Sequence, residues 1–119
     1  MEDFLIELIS SLGYPIFRQG SLTEDEPYPS TFFTYWNNTE INHSAYDNDT
    51  RIMQYEYDLN IYSTSIDTCY ELLDQATQIL KQNKFIITQF GYDLYSDEIT
   101  HVGRGINISY LGDYDERND

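Results

Sequence analysis

Two histidines, one cysteine and 21 aspartate or glutamate side chains are the residues of this 119-residue chain with chemistry to offer near neutral pH. His43 stands near Asp47 and Asp49, a cluster that invites a metal ion. Its spacing matches neither a zinc site nor a calcium site. Asp47-Asn48-Asp49 begins like a calcium loop, but the glycine and the closing glutamate of such a loop do not follow. His101 precedes the last predicted strand. Cys69 falls in the middle of a helical pattern beside Tyr70, where a buried structural thiol is expected rather than a nucleophile. Gly103-Arg104-Gly105 has the composition of a phosphate cradle, yet it lies inside a strand pattern, where glycine marks a bulge or a close backbone contact. The sequence contains no GxGxxG, GxxxxGK[ST] or GxSxG string. Among so many carboxylates some pair always lies close, so their number does not signal acid–base catalysis. The expectation is a chain with no catalytic set, no metal and no cofactor.

The charge says more. Formal net charge is −15, with only six lysines and arginines. Simple nucleic-acid binding needs cations to neutralise phosphates, and anionic membrane surfaces repel an acidic chain. Three readings of the acidity remain: solubility, an acidic wall past which DNA slides, or imitation of DNA. Hydrophobic residues make up 40% of the chain, enough for one folded domain. No apolar run approaches the ~20 residues of a membrane helix. The N-terminal MEDFLIELIS is acidic and lacks the positive start of a signal peptide, so a cytoplasmic origin is expected. Cys69 has no partner for an intrachain disulfide, and the sequons at Asn37, Asn42, Asn48 and Asn107 are read as chance.

The elements that would position these residues follow from periodicity. Phe4, Leu5, Leu8, Ile9 and Leu12 predict a helix from Glu2 to Leu12, with acids in its first turn and Gly13 as its stop. Ile16–Gln19 is a short strand. Thr23–Pro29 is a loop that Pro27 and Pro29 stiffen. Ser30–Asn37 is an aromatic strand, and residues 37–50 read as a long hairpin loop. In Arg51–Ser63, Met53, Tyr55, Tyr57, Leu59 and Ile61 share an apolar face, while Gln54, Glu56, Asp58, Asn60 and Tyr62 share a wet one. Thr64–Asp67 fits a capping box, opening a helix whose stripe is Ile66, Tyr70, Leu73, Ala76 and Leu80. Phe85–Phe90 and Val102–Leu111 are strands, the second carrying Val102, Arg104, Ile106, Ile108 and Tyr110 on one face. The result is an α+β domain over residues 1–112: a mostly antiparallel sheet of four or five strands with two helices on one face. A flexible acidic tail over 113–119 is expected.

Twelve tyrosines and one tryptophan exceed what a thin sheet can cover. Both types favour interfaces, where a large ring is buried and its polar tip satisfied. Tyr28, Tyr35, Trp36, Tyr46, Tyr62, Tyr92, Tyr95 and Tyr114 are the surplus, and some are expected to meet another subunit.

Several short strings, taken in order, resemble a known family. They are Leu12-Gly13-Tyr14-Pro15, Phe17-Arg18-Gln19-Gly20-Ser21-Leu22, Glu26-Pro27-Tyr28-Pro29 and Thr31-Phe32-Phe33-Thr34-Tyr35-Trp36. Tyr46-Asp47-Asn48, Asn60-Ile61-Tyr62-Ser63, Asp97-Glu98, Thr100-His101 and Gly103-Arg104-Gly105 follow. With the element order, they resemble the small tail-completion or tail-terminator proteins of long-tailed bacteriophages and prophages. The resemblance implies a homohexameric ring at the head-proximal end of the tail. It implies contacts with the tail tube protein and the head-completion or connector protein, assembly in the host cytoplasm, and DNA that passes without specific binding. It carries no catalytic residues. Such a ring closes a heterologous interface, and Arg18, Arg51 and Arg104 are expected to pair with acids across it. The competing expectation is an acidic DNA mimic or inhibitor, binding a basic partner through carboxylates set at phosphate-like spacing.

Overall fold

The apolar spacing at the N-terminus folds into α1 (Glu2–Ser10), which buries Leu5 and Ile9 and carries Glu2 and Asp3 in its first turn. A computed structural model of the chain describes residues 1–22, 27–42 and 52–113. The helix ends one turn's fraction before Leu12, and the chain turns out of it through Gly13 at φ 91, a left-handed conformation that costs glycine little. β1 (Ile16–Arg18), β2 (Thr31–Asn42) and β3 (Ile52–Ser63) follow, then α2 (Ile66–Gln82), β4 (Ile86–Leu94) and β5 (Val102–Asp113). The five strands form one sheet in the order β1-β2-β3-β5-β4. β1 pairs with β2 in parallel, and the other three pairings are antiparallel. β2 runs through Asn42, further than the aromatic pattern alone predicts, because Thr39 to Asn42 keep pairing with Glu56 to Met53 after an irregularity between Asn37 and Thr39.

Both helices pack on one face: α2 contacts β3, β5 and β4, and α1 contacts α2 and β1. The face of β3 read as apolar does build the core, where Tyr55, Tyr57, Leu59 and Ile61 are buried with Phe33 and Tyr35 of β2 and Ile106, Ile108 and Tyr110 of β5. Two expectations about α2 need correction. Its N-cap is Ser65, not Thr64, and the Ser65 side chain accepts from the Thr68 N–H. Its buried stripe is Cys69, Leu72, Leu73, Ala76 and Leu80, while Ile66 and Tyr70 are exposed. The space beneath the first turn fits a thiol and no ring. Cys69 Sγ donates toward Val102 O at 3.6 Å and Ile61 O at 4.0 Å, and Tyr70 swings out over Arg104.

The C-terminus of α2 closes as a Schellman motif. Phe85 N–H donates to Leu80 O and Lys84 N–H to Lys81 O, with the buried Phe85 and Leu80 in the usual hydrophobic positions. The left-handed residue there is Lys84, at φ 72, where glycine is the common choice.

Candidate functional site

The helices leave the opposite face of the sheet uncovered, and residues of alternate parity build its surface. On β2 these are Phe32, Thr34 and Trp36; on β3, Asp58, Asn60 and Tyr62. The supposedly wet side of β3 is therefore half-buried, and Asn60 is fully so. Its Nδ2 donates to Thr34 Oγ1 at 3.4 Å, and its Oδ1 is buried without a partner.

At one end of this face the rings converge. Phe32 stacks on Tyr62 with centroids 5.4 Å apart, and Tyr28 and Phe17 meet Phe32 edge-on at 5.4 and 6.0 Å. The Pro27–Pro29 segment brings Tyr28 into position, and His101 ties that segment down: its Nε2 lies 2.8 Å from Pro29 O and its Nδ1 3.0 Å from Thr100 Oγ1. A carbonyl only accepts, so Nε2 carries the proton, and in the neutral ring Nδ1 accepts from the Thr100 hydroxyl. With both nitrogens occupied and Tyr28 and Phe32 against its ring, His101 is a tether and not a base poised for catalysis.

Glycines make room for the aromatics. A Cβ on Gly103 would lie 2.7 Å from Tyr62 Cε1, and one on Gly105 would lie 2.5 Å from Asn60 Oδ1. Gly103-Arg104-Gly105 is thus a regular paired strand segment on which side chains of β3 and β4 rest. The close-contact reading of this string holds.

Beside the rings opens a groove of about 320 Å³, lined by Phe17, Leu22, Tyr28, Phe32 and Tyr62 within, with Arg18 and Asp97 among its charged groups. Burial, then the Asp97 carboxylate, hold the Tyr28 and Tyr62 phenols above their ordinary pKa. They stay protonated at neutral pH and present O–H donors. The arrangement suits an apolar or aromatic insert that accepts hydrogen bonds.

The residues expected at an interface divide. Arg18 donates to Glu2 Oε1 at 3.0 Å and sits 5.4 Å from the centre of the exposed Trp36 ring. With Tyr28 these form one margin of the molecule. Tyr35 departs from the expectation: it is only 6% exposed, because the alternation that turns Phe32 and Trp36 outward turns Tyr35 inward toward α1, where burial and Glu2 raise its pKa. Arg104 lies on the helix-covered face, donating to Asp93 Oδ1 at 2.6 Å and resting 4.6 Å from the centre of the Tyr70 ring. Both arginines thus have a carboxylate within their own chain. Arg51, Tyr46, Tyr114 and the His43–Asp47–Asp49 cluster lie outside the described residues. Among the described residues no three His, Cys, Asp or Glu side chains gather as metal ligands, and no helix is long and apolar enough to cross a membrane. The sequence assigns no site role to Phe17, Phe32 or His101; the alternation of β2 and β3 is the signal that places Phe32 beside Tyr62.

No protein-family model matches the chain, and no curated protein matches it either. A solved structure does. The chain is similar in fold to a chain of the virion of a native gene transfer agent particle. The likeness covers 89% of this chain and 84% of that one, at a TM-score of 0.53 and 8% identity.

Proposed function

We propose that this chain is a structural virion protein of a long-tailed phage or prophage, forming a ring that terminates the tail tube and joins it to the head connector. The observation that carries this reading is the fold, shared over nearly the whole chain with a component of a gene transfer agent virion. The family resemblance of the short strings supports it independently. So does the uncovered sheet face, which offers rings and hydrogen-bond donors to a protein neighbour and holds His101 as a tether. The arrangement is that of a binding surface, and the chain is not an enzyme in this reading. Six copies at −15 would carry about −90, a charge that repels DNA phosphates so that DNA slides through.

The charge also favours a second reading, an acidic mimic that occupies the DNA site of a basic protein. Light scattering after gel filtration separates the two. It is run over a range of concentrations, at two salt strengths, with and without the tail tube protein. A closed species near six subunits is expected. A monomer under every condition, tube protein included, would overturn the ring and leave the mimic.

A further inference from the structure

The sheet ends in two open margins that stand partly level, run in opposite directions, expose apolar side chains and differ in charge. β1 covers only Phe33 to Tyr35 of β2, so the outer edge of β2 from Trp36 to Asn42 has no strand beside it among the described residues. At the other margin β4 pairs with β5 alone, through Ile86, Ile87 and Gln89 in its first half and through Tyr92 to Leu94 in its second, with irregularities between them. Two rows across the sheet show the levels. Trp36, Asp58, Asn107 and Gln89 form one; Thr39, Glu56, Ser109 and Ile86 form the other. The free part of β2 and the first half of β4, Ile86 to Gln89, therefore stand at the same height, while Tyr92 to Leu94 stand level with Thr34 to Phe32. Three successive antiparallel pairings separate them, so β4 runs opposite to β2. Two copies set side by side in the same orientation bring β4 of one against β2 of the next as an antiparallel pair, and the sheet continues.

Both margins expose apolar side chains: Trp36 at 42% and Ile41 at 39% on β2, Ile86 at 60% and Phe90 at 65% on β4. Their charges are opposite. Only four lysines or arginines fall among the described residues, and two of them, Lys81 and Lys84, lead into β4, with Lys81 Nζ 5.3 Å from the centre of the Phe90 ring. The β2 margin carries Glu40, with Glu2 and Asp3 on the adjacent α1, and these acids outnumber Arg18, which pairs with Glu2. Lys84 stands two residues before Ile86, and Glu40 one residue after Thr39, so both lie at the same end of the edge. Like margins set against each other would bring together surfaces of the same charge, which disfavours a two-fold dimer.

We propose that the outer edge of β2, Trp36 to Ile41, is the docking site for β4 of a second copy of this chain, joined head to tail, with Lys84 facing Glu40. The proposal rests on the ring reading and names its contact. A head-to-tail contact of this kind generates a ring when its rotation closes.

Cross-linking tests it. Ile41→Cys and Ile86→Cys are made separately, mixed in equal amounts with and without tail tube protein, and treated with a short bismaleimide, whose reach tolerates a stagger of the register. Cys69, buried, stays unlabelled. The mixed product is expected roughly tenfold above either variant's own dimer, as a one-register contact implies. Adding Lys84→Glu to the Ile86→Cys chain should cut the yield roughly tenfold, and adding Glu40→Lys to the other chain should restore it. No mixed product in either condition, or no preference for it, overturns the proposal, as does failure of the charge exchange to restore yield. A closed six-subunit species without the mixed product keeps the ring and removes this contact. The mixed product in an open-ended series of sizes keeps the contact and removes the ring.

Discussion

Replacing Gly103 by alanine sets a methyl carbon where the Tyr62 ring already lies. The new atom would stand 2.7 Å from Tyr62 Cε1, 2.8 Å from Cδ1 and 3.2 Å from Leu94 Cβ. Ordinary carbon contacts begin near ~3.5 Å, so the ring must move by about 1 Å. It has nowhere easy to go, because its other side is stacked on Phe32 at an interplanar angle of 24°. Overpacking of this kind costs about 1–3 kcal/mol. Alanine in a strand recovers about 0.5–1 kcal/mol over glycine through the unfolded chain. The net expectation is a destabilisation of about 1–2 kcal/mol, read as a fall of roughly 0.5–1 M in the urea midpoint followed by circular dichroism. The cause is tested by repeating the substitution in a Tyr62→Ser background, where the obstacle is gone. There the loss should shrink by about 1 kcal/mol, a coupling that two independent sites would not show. The reasoning fails if Gly103→Ala is as stable as the native chain, or if its cost is the same whether or not the ring is present.

Lys84→Gly should stabilise the fold by about 0.5–1 kcal/mol in thermal or urea unfolding, because the left-handed Schellman residue then carries no Cβ; unchanged or lower stability would contradict that account of the turn. Burial raises the pKa of Tyr28, Tyr35, Tyr57, Tyr62 and Tyr92 above 10.0. The unfolded phenols ionise first, so this stability is present below about pH 10 and is lost as pH rises beyond it. Phenolate absorbance of the buried Tyr35 and Tyr57 should therefore appear together with alkaline unfolding, and their titration near pH 10 with the fold intact would refute it. Burial also raises the Cys69 pKa, so the thiol should resist alkylation at pH 8 until denaturant is added, at a rate that follows unfolding; labelling at the rate of a free thiol in the native chain would show that the site is open.

The sheet was legible where one strong periodicity acts alone. In β3 the alternation from Met53 to Ile61 names the core face without help from any other element. α2 was legible as a helix but rotated in phase, since Tyr70 and Cys69 are both plausible core residues by type. Only the space under the first turn, closed by the Ile61 and Val102 carbonyls, chooses the thiol. The tethering role of His101 was not legible, because its partner Pro29 is 72 residues away in sequence. Tyr35 and Trp36 are adjacent and of like chemistry, so composition placed both at an interface. Their opposite fates depend on which parity of β2 meets the helices, a fact set by α1 and not by the strand.

That division explains the run of aromatics that follows the two prolines. A strand with rings on both faces serves two structures at once. Phe33 and Tyr35 weld β2 to the helical layer, whereas Phe32 joins Phe17, Tyr28 and Tyr62 on the open side and Trp36 stands at the margin. The inward residues make the strand indispensable to folding. The outward ones gain little for the single chain: Trp36 stays 42% exposed, and Tyr95 beside the groove is fully exposed. In the proposed ring, large rings left in water at no benefit to the isolated domain would be covered by a neighbour. Truncating Trp36 or Tyr95 to alanine should accordingly leave the unfolding midpoint nearly unmoved while weakening self-association or binding to tube protein. A loss of stability of ~2 kcal/mol or more from either change, with assembly intact, would mean that these rings serve the fold and that the neighbour lies elsewhere.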